Sequence, residues 1–137
     1  MEDQKKEISG ITVGFNVGMF TLLYSWLLLF IPAILLQNIL DLHVDDELYI
    51  LLLTPFQIGC AFLGNKFAIK SSTKNKIISE NPLKTIIVSV ITTSILVFII
   101  EIVIGTGTLV PFKNILGFIL LLITYIISNI VFKKNFS

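Results

Sequence analysis

The chain reads as an all-α integral membrane protein, with four transmembrane helices in an up-down antiparallel bundle and both termini cytoplasmic. Three observations predict this. Charged residues make up 14% of the 137 positions and hydrophobic residues 55%, with a mean hydropathy of +0.93. A soluble domain usually carries about 25% charged residues. Residues 8–40 contain no Asp, Glu, Lys or Arg, and three further apolar blocks follow at 48–69, 85–104 and 111–132. Each block approximates the ~20 residues that cross a bilayer at a helical rise of ~1.5 Å per residue. Finally, the gaps alternate in charge: Asp41, Asp45, Asp46 and Glu47 fill the first, and Lys70, Lys74, Lys76 and Lys84 the second.

Taken in order, the predicted spans are about 12–37, 48–69, 84–104 and 111–132, within a single domain covering 1–137. Span 1 follows Lys5 and Lys6 but is far longer than a signal-peptide core, and no small-x-small cleavage site ends it, so it reads as a retained helix. Span 2 begins at Asp45, Asp46 and Glu47, where negative charge is favoured beside a helix N-terminus. Span 3 opens on Asn81 and Pro82, an N-cap followed by proline at the first helical position. Gly105 and Gly107 are suited to ending it, and Pro111 to starting span 4. Short connections predict that consecutive helices are antiparallel neighbours.

Lysine placement gives the orientation. Lys5, Lys6, Lys66, Lys70, Lys74, Lys76, Lys84, Lys133 and Lys134 belong to one face, and Lys113 alone to the other. The lysine-rich face is expected in the cytoplasm. All ten basic residues are lysines, so the planar guanidinium fork suited to phosphate and carboxylate recognition is missing.

Each span carries small or hydroxylic residues at helical spacing. Span 1 has Gly10, Gly14 and Gly18, continued by Thr21 and Ser25; span 2 has Cys60, Gly64, Ala68 and Ser72. Thr85, Ser89 and Thr93 follow in span 3, then Thr124 and Ser128 with Asn129 in span 4. Lipid tails are as apolar as leucine, so membrane helices associate through close backbone approach and interhelical hydrogen bonds, which small residues permit. The stripes all fall toward the lysine-rich end. Bulkier runs, Pro32 and Pro55 fall toward the acidic one. The expectation is a bundle drawn tight inside and looser outside.

Chemistry-bearing residues are sparse. Glu101 is the single acidic residue inside a span, about one turn from its outer end, placed either to reach the interface or to serve a proton or cation. Asn16, Tyr24, Ser25, Trp26, Thr54 and Gln57 form a further candidate set of polar groups in spans, available for interhelical bonding or for lining a polar path. Tyr49 and Phe112 suit an outer aromatic belt and Phe132 an inner one. His43 lies in the acidic loop without the second nitrogen or sulfur ligand that a zinc set needs, so no metal site is assigned. The Gly105, Thr106, Gly107, Thr108 run is too short for a re-entrant filter and reads as a tight turn. No Ser-His-Asp set, zinc-protease motif or phosphate loop is present, so neither an enzyme nor a cofactor is expected.

Size and span number match small multidrug exporters and four-helix fluoride channels in outline. The former carry an embedded glutamate in their first helix, which is absent here, and the pore motifs of the latter find no counterpart. A net charge of +1 gives no footprint for nucleic acid. The expected partners are the lipid bilayer and either further copies of the chain or other membrane subunits. Function is expected to be non-catalytic, with a small-solute or ion carrier as the alternative and a toxin-immunity role behind it.

Overall fold

The computed structural model describes residues 6–43, 46–74, 76–78, 81–104 and 115–136. The predicted turn at Gly105–Thr108, with Pro111, Phe112, Lys113 and Asp45, lies outside the described residues.

Helix α1 spans Gly10–Asn38, α2 Glu47–Thr73, α3 Pro82–Ile104 and α4 Ile115–Val131, and a 3-10 turn follows at Lys133–Phe136. Over the described residues these helices coincide with the four predicted apolar segments to within a few residues, and 111–114 of the fourth segment lies outside them. Ser9 caps α1, its hydroxyl accepting from the Ile11 N–H at 3.3 Å, which starts the helix earlier than the apolar pattern alone. Asn81 caps α3 as expected: its Oδ1 accepts from the Leu83 N–H at 3.0 Å, with Pro82 in the first helical position. The acidic loop departs from expectation in one detail. Asp46 occupies the N-cap position of α2 but turns its carboxylate back to the His43 N–H, at 2.8 Å. Asp41 adopts the left-handed conformation, φ 51°, which Asp tolerates better than most residues. Both α1 and α2 run unbroken through their prolines, Pro32 and Pro55.

Three of the helices, α1, α2 and α3, are long and apolar enough to cross a membrane. Helix α4 has 17 described residues and is likewise apolar. The exterior inverts the pattern of a soluble protein, with Phe15, Trp26, Ile31, Phe98, Ile102 and Ile115 among the large apolar side chains facing out.

Helix α1 packs along both α2 and α3, and α4 packs against α2 and α3, so the order around the bundle is α1, α3, α4, α2. Consecutive helices are therefore neighbours for α1/α2 and α3/α4, but α2 and α3 stand across the diagonal. The sequence expectation of an up-down neighbour order is corrected here. Its physical cause is the glycine stripe: a Cβ on Gly14 would lie 2.8 Å from the Thr85 carbonyl oxygen, and one on Gly18 would lie 2.7 Å from Thr92 Cβ. Only a helix without side chains at those positions admits α3 so closely.

A short parallel ladder closes the same pair. Strand β1, Lys6–Ile8, precedes α1, and strand β2, Lys76–Ile78, precedes α3; Lys6 pairs with Lys76, Glu7 with Ile77 and Ile8 with Ile78. Parallel strands need a long crossover, supplied here by the α1–α2 hairpin. The ladder holds the N-terminal segment and the α2–α3 connection at one end of the bundle, and the 3-10 turn lies against α2, α3 and α4 at that same end.

Candidate functional site

The interior divides along the bundle axis. Toward the acidic loop Leu29, Leu36, Tyr49 and Leu53 form one buried cluster, and Gln57 is buried at the same level. Toward the lysine-rich end, Val13, Val17, Ala68, Ile69, Ile86 and Val90 share the interior with buried Ser72, Thr85, Ser89 and Asn129. Between the two ends, Ala61, Val97, Leu121 and Tyr125 join α2, α3 and α4.

At this middle level stands Asn65, fully buried. Its Nδ2 donates to Thr21 Oγ1 of α1 at 3.0 Å, and its Oδ1 accepts from Ser128 Oγ of α4 at 2.8 Å. Thr21 in turn donates to the Val17 carbonyl at 2.6 Å. One amide thus ties three helices together, using both of its polar ends. Position 65 can do this because its neighbour is Gly64: a Cβ there would sit 2.7 Å from the Ser25 backbone nitrogen, so α1 and α2 cross at this point. Interhelical bonds in a membrane contribute roughly 0.6–2 kcal/mol each.

The predicted packing residues are largely placed in contacts within the chain. Gly10, Gly14, Gly18, Gly64 and Ala68 are buried. Cys60 is half-buried, against the Leu29 cluster. The predicted polar set is dispersed instead. Asn16 is half-buried in the second turn of α1, and Gln57 is buried in α2. Glu101 is half-buried in the last turn of α3. Since Gly14 and Gly18 align with Thr85 and Thr92, Asn16 and Glu101 stand ~18 Å apart along the axis at the helical rise. They do not form one site.

Aromatic placement differs from the belt expectation. Tyr49 is buried and accepts from Gln37 Nε2 at 3.3 Å, pinning the end of α1 to the start of α2. Trp26 faces outward, while Tyr24 stacks between Phe20 and Phe67 at 6.2 and 6.3 Å. Phe132 stacks on Phe62 at 5.6 Å, with the Lys66 ammonium 5.9 Å from its ring centre. That trio anchors the end of α4 to α2.

Sequence reasoning named Thr21, Ser128 and Asn129 but passed over Asn65. The available signal was an amide directly after a stripe glycine, one turn inside the lysine-rich edge of its span. An open apolar groove of about 360 Å³ runs between α2 and α4 on the outer surface, lined by Ile58, Gly59, Phe62, Leu63, Thr124 and Ile127. No family model, curated protein or solved structure matches the chain.

Proposed function

We propose that this is a four-span protein of the cell membrane that works without catalysis as a subunit of a membrane assembly, either with copies of itself or as an accessory to a larger complex. The N-terminal segment, the α2–α3 connection and the C-terminus are assigned to the cytoplasm on the positive-inside rule. The observation that carries the reading is the division of labour between inside and outside. Gly14, Gly18, Gly64 and Asn65 hold the helices to one another inside the bundle. What remains outward is large and apolar on every helix. A frame of this kind offers lipids and neighbouring membrane helices a packing surface. Crosslinking in native membranes, followed by mass measurement in detergent, tests it: an oligomer or a reproducible co-purifying membrane protein is expected. A monodisperse monomer that captures nothing would overturn the proposal.

One observation favours a second reading, a carrier or channel for a small solute or ion: Glu101 is half-buried inside the last turn of α3 rather than fully exposed. Flux into proteoliposomes comparing wild type with Glu101→Gln decides it. Under this reading the variant loses flux, and equal flux would remove Glu101 from the path.

A further inference from the structure

The groove between α2 and α4 opens on the apolar outer surface of the bundle, and its volume of about 360 Å³ lies within the ~300–1,000 Å³ of ligand clefts. Gly59 leaves a gap in its α2 wall, since a Cβ there would meet nothing within 4 Å. Thr124 is the one hydroxyl in the lining, and its proton is already given to the Leu120 carbonyl at 2.8 Å. The groove therefore offers a guest apolar contact alone. Over residues 58–63 it runs only ~8 Å along the α2 axis, less than the ~10–12 Å breadth of an α-helix with its side chains.

One turn beyond the groove, toward the lysine-rich end, cations gather. Phe62, Lys66 and Lys70 follow at four-residue spacing and share a face of α2. Phe62 stacks on Phe132 at 5.6 Å, and the Lys66 ammonium lies 5.9 Å from the centre of that same ring. Lys133 is the next residue along the chain, and both it and Lys70 are exposed. Glu47, at the opposite end of α2, is the one carboxylate in the sequence of α2, α4 and the 3-10 turn, so nothing on these elements balances the three lysines. Lys66 also stands ~10 Å inside the end of α2 at Thr73. At that depth in a membrane an ammonium is costly unless it is paired or reaches out to the interface.

We infer that the groove and its lysine mouth bind an anionic phospholipid, with an acyl chain between α2 and α4 and the phosphate held by Lys66, Lys70 and Lys133. The two halves of the site match the two halves of one molecule. A soluble anion has no use for the groove, and a zwitterionic lipid brings its own ammonium against the lysines. A neighbouring helix exceeds the seat and would have to carry a carboxylate to the depth of Lys66. Lysine meets phosphate as a point charge and needs no planar fork.

Native mass spectrometry of the full chain in mild detergent, titrated with phosphatidylglycerol or with phosphatidylcholine of the same acyl chains, tests this. Wild type is expected to bind phosphatidylglycerol severalfold more tightly. Lys66→Gln and Lys70→Gln are each expected to weaken phosphatidylglycerol roughly fivefold, the ratio equivalent to ~1 kcal/mol per lysine near an anionic surface, and to leave phosphatidylcholine unchanged. Gly59→Leu places a side chain in the groove and is expected to weaken both lipids severalfold. The open space at Gly59 predicts that this variant folds, which SDS titration checks, and the two lysine variants test the headgroup site whatever its result. Lys76→Gln, on strand β2, is the charge-matched control and is expected to change nothing. Equal binding of the two lipids by wild type, or a loss at Lys76→Gln as large as at Lys66→Gln, would overturn the headgroup site. Unchanged lipid binding by folded Gly59→Leu would overturn the groove. A wild-type dimer that Gly59→Leu converts to monomer would make a second copy the occupant and overturn the lipid.

Discussion

Replacing Gly64 with alanine adds one methyl group at the tightest point of the helix frame. That methyl would lie 2.7 Å from the Ser25 backbone nitrogen and 3.0 Å from its Cα. Backbone atoms cannot rotate aside, and carbon contacts are comfortable only beyond roughly 3.5 Å, so α1 and α2 must part by about 0.5–1 Å. A gap of that size forfeits roughly a quarter to a half of the dispersion energy at each contact it opens. It also stretches the Asn65 Nδ2 to Thr21 Oγ1 bond, now 3.0 Å, beyond useful length. Overpacking costs about 1–3 kcal/mol and the lost interhelical bond about 0.6–1.7 kcal/mol, so the expected destabilisation is about 2–4 kcal/mol. Gly59 on the same helix is the internal control, because a Cβ there meets nothing within 4 Å. Gly59→Ala removes glycine's helix penalty and is expected to be neutral or to stabilise by up to about 1 kcal/mol. Unfolding in mixed micelles by SDS titration, followed by circular dichroism, measures both. Equal stability of the two variants, or the reverse order, would refute the crossing.

Asn65→Leu leaves the Thr21 hydroxyl and the Ser128 hydroxyl without their shared partner and is expected to cost about 1–3 kcal/mol in the same titration. Combined with Ser128→Ala the losses should fall short of additive by about 0.5–1.5 kcal/mol, and full additivity would deny the bond. Gly18→Leu drives a side chain into Thr92 on α3 and is expected to abolish the folded monomer, seen as a changed mobility on mild-detergent gels, whereas a stable bundle would contradict the α1–α3 contact. With Cys60 replaced by alanine, the pair Glu7→Cys and Ile77→Cys should oxidise to an intramolecular disulfide, because partnered strand residues fall within the Cα separation a disulfide spans. The shifted pair Glu7→Cys and Lys74→Cys should not, and equal yields would mean that the parallel register is wrong.

Much of the fold was legible in the residues themselves because a bilayer imposes a length and a polarity that sequence displays directly. The charge-free run across 8–40, the Asn81 and Pro82 start signal and the position of the acidic loop each correspond to an element of the structure. The small and hydroxylic stripes were also placed toward the lysine-rich end, with the bulkier runs beyond it. Stripe positions were equally visible, since small residues four apart share a face of any α-helix. The purpose of each stripe was not. Gly14 and Gly18 face α3 within the chain rather than a second copy, and periodicity carries no information about which helix lies opposite.

The tertiary structure decided three things for that reason. It made α1 the close neighbour of α3 in place of α2, because backbone approach at glycine outweighs the shortness of a connecting loop. It scattered Asn16, Gln57 and Glu101, whose axial separation follows from the offset between helices. And it brought Thr21, Asn65 and Ser128 together from α1, α2 and α4, a bond network across sequence separations of 44 and 63 residues that no local pattern encodes. The residues alone determine that this chain has helices long and apolar enough to cross a membrane and which end carries the lysines. Which side chains meet inside is a property of the packed bundle.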